Sequence, residues 1–363
     1  RIPGLLDPMP LSVAFAVLII GPWLFGRASR MARLPSILGM LLFGLLWAAL
    51  SGDVVSFVPE VPTEVEAIAP FIKTTALIVI LLRAGLGIRT ANLQAVGGSA
   101  IRMAVIPCLL ETAATTVAFH WLFGFDWLTA LVGGSILSAV SPAVVVPSML
   151  DLKERGYHDV PTLVLAGASV DDAVAITIFT AAAGLAAGGA VSTVGVIVSF
   201  PLAIANGLVL GVLLGFAAAW FFSRTFERVA HEMASKLAKL WVPAEIFLFV
   251  LIGLAVDLPV AVEAGGRGLA VIGIGLIGRS AGVLVSLLPD RRLTSADRIF
   301  ALVAYLPKAT VQAALGAMPL AMGIEGGDVI LSVAVLAIVV TAPVGLVLIR
   351  TLGPRLLALP REV

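Results

Sequence analysis

Apolar runs separated by short polar loops recur from one end of this chain to the other. Each run is long enough to cover the roughly 30 Å of hydrocarbon that a spanning helix must cross. Because lipid cannot hydrogen-bond to the backbone, runs of this length predict helices, and the pattern predicts an all-α, polytopic membrane protein. The eleven predicted spans are 11–27, 35–52, 69–88, 99–123, 128–150, 161–187, 192–223, 237–256, 268–288, 297–321 and 328–349.

Charges in the loops predict the orientation of these spans. Lys and Arg are concentrated after spans one, three, five, seven and nine, whereas Asp and Glu predominate after spans two, four, eight and ten. Cytoplasmic loops are enriched in Lys and Arg, so the N-terminus is predicted outside and the C-terminus in the cytoplasm. An even number of spans would break the alternation. The stretch 227–239 is predicted to be a basic helix at the cytoplasmic surface.

Composition agrees with a membrane protein and excludes several other classes. Of the 363 residues, 60% are hydrophobic and 12% are charged, against about 25% charged in a soluble domain. The net charge of +1, without a basic run, gives no indication of nucleic-acid binding. The single cysteine, Cys108, excludes an intrachain disulfide, and three histidines disfavour a transition-metal site. We therefore expect no cofactor.

Two of the predicted spans are interrupted by proline within a polar patch. The span 128–150 contains SAVSPA around Pro142, and the span 297–321 contains AYLPKAT around Pro307. Matching interruptions in the two halves of a chain are typical of transporters whose binding site lies between structural repeats. Unwound backbone is tolerated in a membrane only where protein or a water-filled cavity meets it. Simple proline kinks, which are common in membrane helices, are the alternative.

Five ionisable residues are predicted to lie deep within the spans. Asp171 and Asp172 are adjacent in a strongly apolar segment, where a carboxylate costs about 2.5–3.5 kcal/mol, so a functional role is the default interpretation. A structural polar pair in the bundle interior is the alternative. Together with Glu111 there are three acids against two bases, Arg279 and Lys308. At least one acid is therefore expected to have no fixed cation.

The aspartate pair is suited to carry a cation and a proton in alternation. Adjacent residues of a helix point about 100° apart, so the two carboxylates do not face the same partner. One can pair with a lysine or arginine while the other faces a cavity. Two close, desolvated carboxylates oppose each other's ionisation, which favours a proton on one of them. Once deprotonated, that carboxylate can bind Na⁺ or Li⁺, and competition between ion and proton is sufficient for exchange.

Several strings resemble the sodium/proton antiporters of the monovalent cation/proton antiporter superfamily, most closely their NHA branch. The pair SPAVVVPSM and LPKATVQAA is the most specific part of this resemblance. It implies an NhaA-like fold with inverted repeats and two crossing discontinuous helices, and alternating access in a homodimer that serves pH homeostasis. The matching strings are LLRAGLGI (81–88), IPCLLETA (106–113), SAVSPAVVVPSML (138–150), PTLVLAGASVDDAVAIT (161–177) and AYLPKATVQAALG (304–316).

The resemblance also implies roles for individual residues and a location. Asp172 would be the main carrier of the cation (Na⁺ or Li⁺) and the proton, with Asp171 as its neighbour in the same site. The supporting charges would be Lys308, Arg279 and Glu111. A bacterial inner membrane is the expected location. The breaks in the crossing helices would involve Ser141, Pro142, Ala143, Pro307 and Thr310.

The same resemblance divides the chain into a scaffold and a core. Scaffold and dimerisation helices are expected in 1–68, and linker and scaffold helices in 188–265. The core helices of the first and second repeats are expected in 69–187 and 266–363. In one respect the chain departs from the family, which usually has about two more helices between spans seven and eight. Either the scaffold is shorter here or helices are missing between about 223 and 237.

Other functions were weighed against antiport. A sodium-coupled symporter of an organic anion shares the broken-helix plan and is the main alternative, although it would not need a lysine beside the carboxylates. An intramembrane aspartyl protease needs its two aspartates on different helices, which disfavours that function. A cation channel would need a filter, and none is visible. Stoichiometry stays open, because only one proton would exchange if Lys308 kept Asp171 ionised.

Overall fold

A computed structural model of the chain is all-α wherever it is described, which confirms the predicted class. The described residues are 9–51, 58–59, 61–87, 98–157, 159–188, 202, 205–206, 209–211, 213–217 and 226–357. The helices are α1 (Leu11–Met31), α2 (Ser36–Ser51), α3 (Thr63–Gly87), α4 (Gly98–Phe123), α5 (Trp127–Leu137), α6 (Pro142–Glu154), α7 (Asp159–Ala187), α8 (Phe226–Leu254), α9 (Leu258–Leu287), α10 (Ser295–Ala304), α11 (Thr310–Leu315), α12 (Met318–Ala321) and α13 (Gly327–Leu356).

Within the described ranges, six segments are long and apolar enough to cross a membrane. Two shorter apolar segments, Ser36–Ser51 and Thr310–Ala321, accompany them. A membrane protein is therefore confirmed, whereas the total of eleven spans stays a prediction, because 192–223 lies mostly outside the described residues. The six segments are Leu11–Met31, Gly98–Phe123, Trp127–Glu154, Asp159–Ala187, Leu258–Leu287 and Gly327–Leu356.

Polar side chains fix the first turns of three helices. Asp126 accepts hydrogen bonds from the backbone N–H groups of Leu128 and Thr129 at the start of α5, and Asp257 accepts one at the start of α9. Thr294 and Asp297 form a reciprocal capping box at the start of α10. Each cap satisfies backbone donors that the first helical turn leaves free.

The basic stretch 227–239 is helical, as predicted, and it forms the first part of a longer helix, whereas its location at the membrane surface stays a prediction. It belongs to α8, which continues without interruption from Phe226 to Leu254. The sequence between the charged and apolar parts consists mainly of Ala, Lys and Leu. These are strong helix formers and contain no signal to stop the helix.

Close backbone approach joins α1, α2 and α8 into one packed group. A Cβ atom at Gly39 of α2 would lie 2.2 Å from the carbonyl oxygen of Phe25 in α1. At Gly44 it would lie 2.4 Å from the carbonyl oxygen of Val250 in α8. Small residues permit such contacts between membrane helices, where dispersion rather than the hydrophobic effect drives packing. A buried cluster that also includes residues of α3 fills the space between these helices.

A second close contact, between α4 and α9, sets the position of the buried charges. A Cβ atom at Gly282 would lie 2.5 Å from the Cα atom of Pro107, and one at Gly278 would lie 2.8 Å from the carbonyl oxygen of Leu110. Only glycine lets the two backbones come this near. Arg279 directly follows Gly278, and Glu111 directly follows Leu110. The glycines therefore bring a base on α9 against an acid on α4.

The loop between α9 and α10 is tied to the start of α4 by Asp290. Its carboxylate accepts hydrogen bonds from Ser99 Oγ (2.8 Å) and from Arg292 Nε (3.0 Å) and Nη2 (2.9 Å). The hydrogen bonds from Arg292 lower the pKa of Asp290 well below its usual range. A carboxylate whose pKa is lowered by folding stabilises the fold at every pH above its pKa in the unfolded chain. This stabilisation is lost only as the pH falls into strong acid. Asp290 therefore stays ionised throughout the neutral range.

Candidate functional site

Both interruptions that the prolines predict are present. The first broken helix stops at Leu137 and resumes at Pro142, so residues 138–141 are not helical. The second stops at Ala304 and resumes at Thr310, so residues 305–309 are not helical. Each interruption exposes backbone groups inside an apolar bundle, and such groups require partners.

Three of the five predicted break residues lie just outside the unwound stretches, which corrects their assignment. Pro142 is the first residue of α6, a position where its missing N–H costs nothing and its fixed φ favours the helix. Ala143 follows it in the same first turn. Thr310 likewise begins α11. Ser141 and Pro307 are the two that lie within the unwound backbone.

The two interruptions are in direct contact. The backbone N–H of Ser141 donates a hydrogen bond to the carbonyl oxygen of Pro307, with an N–O distance of 2.8 Å. The backbone N–H of Lys308 donates to Thr341 Oγ1 of α13 at 2.8 Å. These bonds satisfy donors that no helix can satisfy here. They also fix the two unwound stretches against each other.

Side chains from two other helices satisfy carbonyl groups at the end of α5. Arg279 donates through Nη2 to the carbonyl oxygen of Ser138. Gln312 donates through Nε2 to the carbonyl oxygens of Ile136 (2.9 Å) and Ala139 (3.1 Å). The negative end of this half-helix is therefore covered by one charged and one neutral donor.

Arg279 is the centre of a buried ion network. Its side chain is fully buried and pairs with Glu111 through Nε. Its Nη2 atom lies 3.2 Å from Oδ2 of Asp171. The Glu111 oxygen that Arg279 contacts, Oε2, also lies 2.6 Å from Lys308 Nζ. Charges from α4, α7, α9 and the second interruption thus meet in one place.

Asp171 and Asp172 have different surroundings, as expected for neighbours on one helix. Asp171 accepts a hydrogen bond from the backbone N–H of Val140 at 2.8 Å, in addition to its contact with Arg279. Asp172 is 2% exposed, and its Oδ1 atom has no hydrogen-bond partner among the described residues. Three acids against two bases leave one negative charge in excess. The geometry leaves that excess at Asp172.

The partner of Lys308 differs from the one considered in the sequence analysis. Lys308 was weighed as the cation that keeps Asp171 ionised, but its ammonium group binds Glu111. Arg279 is the cation beside Asp171. Glu111 therefore has both bases as partners, and the packing of α4 on α9 accounts for its contact with Arg279.

Sequence reasoning missed several groups of this site. Ser138 and Val140 act through backbone atoms, so their side chains gave no signal. Gln312 and Thr341 are polar residues inside apolar segments, TVQAALG and AIVVTAPVG. A polar side chain within an apolar membrane segment indicates a functional or structural contact, as a charged one does. This criterion would have identified Gln312 and Thr341.

Comparison with known proteins assigns the chain to a family. The profile of the family described as "Sodium/hydrogen exchanger, transmembrane" matches residues 15–233 and 222–352. The chain belongs to this family. It is 32% identical to human sodium/hydrogen exchanger 9B2, over 95% of this chain and 74% of that one. It is 34% identical to the protein of that name from Bison bison bison, over 94% of this chain and 74% of that one.

A solved structure of an antiporter shares the fold of this exchanger-family chain. It is that of the sodium proton antiporter MjNhaP1 from Methanocaldococcus jannaschii at pH 8, with a TM-score of 0.76 and 18% sequence identity. The superposition covers 98% of this chain and 100% of the other. Like the proteins it resembles, this family member is a transporter rather than an enzyme.

The alignment with the human relative bears on the shortened scaffold. It extends over 410 positions, and 95% of 363 residues is about 345, so at least about 65 aligned positions have no residue in this chain. The two segments of the family match overlap at residues 222–233. This overlap lies where about two helices of the usual family fold are expected to be missing. That the missing positions fall there stays a prediction.

Proposed function

We propose that this chain exchanges Na⁺ or Li⁺ for H⁺ across a membrane, and that Asp172 is where ion and proton alternate. Membership of the exchanger family supports the overall activity. The observation that carries the choice of residue is the buried Oδ1 atom of Asp172, which has no partner among the residues that the structure describes and lies beside a network whose other charges are paired. The organic-anion symporter is not favoured by the family match.

Asp171 is proposed to support the site rather than to carry the proton. Arg279 and the N–H of Val140 both stabilise its ionised form. In this proposal Asp171 keeps its ion pair with Arg279 throughout the transport cycle. One proton is then released for each monovalent cation bound, and exchange is electrically neutral.

The division of the helices into a scaffold and a core suggests how the ion-binding site moves between the two sides of the membrane. We propose that scaffold helices in 1–68 and 188–265 stay fixed while core helices in 69–187 and 266–363 move against them in alternating access. The buried cluster that α1, α2 and α8 share with α3 supports a common scaffold, and it favours placing α3 in that scaffold rather than in the core. Contact between Ser141 and Pro307 supports an NhaA-like crossing of two discontinuous helices from inverted repeats.

The remaining expectations about assembly and topology belong to the same proposal. The scaffold would also form the interface of a homodimer. The loop charges support an outside N-terminus and a cytoplasmic C-terminus. The bacterial inner membrane is a prediction without support from the relatives named above, which are animal proteins.

Reconstitution of the purified chain tests the activity itself. Proteoliposomes containing the protein are expected to release internal protons when Na⁺ or Li⁺ is added on one side, as read by an internal pH dye. An uptake of ²²Na⁺ that occurs without any countermovement of protons would contradict the proposal.

Substitution of two lysines tests, in the same assay, whether the buried Lys308 is needed for exchange. Lys308→Ala is expected to lower the exchange rate at least about tenfold, because Glu111 loses a partner within a buried network. Lys73→Ala is the matched control: Lys73 lies on α3 and is only half-buried, so its loss is expected to change the rate less than about twofold. A larger loss of rate in Lys73→Ala than in Lys308→Ala would contradict the assignment of Lys308 to the site.

A further inference from the structure

Gln312 is a neutral polar side chain in the apolar interior, and the ion network does not include it. It lies on α11, two residues after the start of that helix, and its side chain is fully buried. Its Nε2 atom is 2.9 Å from the carbonyl oxygen of Ile136, 3.1 Å from that of Ala139 and 3.5 Å from that of Leu137. Gln312 therefore links the second interrupted helix to the end of the first.

These contacts determine which way the carboxamide faces. The NH₂ group supplies two donors and meets carbonyl oxygens, which only accept. The flipped orientation would place Oε1 against those same oxygens and lose every hydrogen bond. Oε1 must therefore point away from α5, where it is buried and has no partner among the described residues. A buried acceptor without a partner is costly, and this oxygen is free to accept a ligand.

Gln312 Oε1 is one of several buried side-chain oxygens that have no hydrogen-bond partner among the described residues. Among the described side chains, six buried oxygens have no partner: Thr116 Oγ1, Ser141 Oγ, Asp172 Oδ1, Tyr305 Oη, Thr310 Oγ1 and Gln312 Oε1. Four of them belong to the two interruptions or to the first turn that follows the second one, and Asp172 is the proposed carrier. Carboxylate, hydroxyl and amide oxygens are the ligands that hard cations prefer.

We propose that Gln312 determines cation specificity in this exchanger. Its Nε2 atom fixes the carbonyl end of α5, and its Oε1 atom is a neutral ligand for the dehydrated cation. This inference rests on the proposed exchange of Na⁺ or Li⁺ for H⁺. An amide oxygen does not take up a proton at neutral pH, so Gln312 acts on the cation and leaves the proton to Asp172.

The experiment compares Gln312→Met and Gln312→Glu in proteoliposomes at fixed pH. Methionine has a similar length but lacks both the donor and the hard oxygen, whereas glutamate keeps an oxygen at the same reach. Gln312→Met is expected to raise the KM for Na⁺ about tenfold and to change the ratio of the KM values for Na⁺ and Li⁺ at least about threefold. Gln312→Glu is expected to make the KM depend more steeply on pH, because the added carboxylate also binds protons.

Val311→Ala is the matched control on the same helix. Val311 is 1% exposed and packs in the hydrophobic core, so its truncation is expected to lower stability and rate without changing the KM ratio. If the Gln312 variants behave in the same way, with both KM values unchanged, Gln312 is only structural and the inference is wrong. If Gln312→Met does not fold, Gln312→Glu decides alone, since an unaltered ratio and pH dependence would overturn the inference.

The outcome can be separated from a failure of the proposed function. Wild-type exchange together with loss of exchange in Asp172→Asn supports the function, whatever the Gln312 variants do. Unchanged KM values in Gln312→Met would then reject Gln312 as a ligand while leaving Asp172 as the carrier.

Discussion

Replacing Asp172 by asparagine is expected to reduce Na⁺-driven and Li⁺-driven proton movement to background, a loss of at least about 100-fold. Asparagine has nearly the same shape but carries neither the negative charge that attracts a cation nor a proton to release. The measurement is the change in internal pH of proteoliposomes after addition of the cation. Retained exchange in Asp172→Asn would defeat the assignment of the carrier.

The same substitution is expected to leave the fold at least as stable as before. Asp172 Oδ1 makes no hydrogen bond with the described residues, and removal of a buried unpaired charge relieves a desolvation cost. The melting temperature in detergent should therefore be unchanged or higher. As a control, Asp151→Asn removes an exposed acid that pairs with Arg155 at 2.7 Å. It should leave both transport and stability unchanged.

Removal of Arg279 is expected to have the largest effect on stability. Arg279→Met keeps most of the side-chain volume but leaves Asp171 in the bundle without a cation, and it removes the donor to the carbonyl of Ser138. Removing one partner of a buried ion pair typically costs about 3–5 kcal/mol. We expect a large fall in the melting temperature together with loss of exchange.

A second substitution shows whether the uncompensated charge is the cause. Asp171→Asn alone should destabilise the protein, because Arg279 loses an acceptor. In the Arg279→Met background it should recover part of the lost stability, since asparagine still accepts the hydrogen bond from the N–H of Val140. Coupling of about 0.5–3 kcal/mol is expected from the double-mutant cycle. Strictly additive losses would show that the two side chains do not interact.

The sequence predicted the parts of this site that carry charge or interrupt a helix. Carboxylates and bases in an apolar segment are costly enough to be visible without a structure, and all five predicted residues are buried in the described fold. Pro142 and Pro307 each mark an interruption, because a proline cannot donate to a helical hydrogen bond. These signals depend on residue type alone and need no knowledge of packing.

The partner of Lys308 could not be predicted, because it depends on how the helices pack, whereas the pairing of Glu111 with Arg279 is the one that the family resemblance implies. Gly278 and Gly282 are four residues apart, a spacing that favours close packing of membrane helices, but this spacing does not specify which helix packs there. Backbone ligands such as the N–H of Val140 also leave no trace in the sequence, because every residue except proline carries the same group.

The boundaries of the helices were predicted less well than their existence. Pro142 was expected in the unwound backbone, but it begins α6, because the first helical position tolerates proline. The charged stretch 227–239 is helical as predicted, but the helix does not end with it and continues to Leu254.

The pH dependence of the KM for Na⁺ tests most directly whether ion and proton alternate on one carboxylate. If they compete for Asp172 alone, KM should rise about tenfold for each unit of decrease in pH on the acid side, while the maximal rate stays constant. A hundredfold rise per unit would indicate two protons and would contradict the supporting role given to Asp171. A KM that does not change with pH would contradict competition itself.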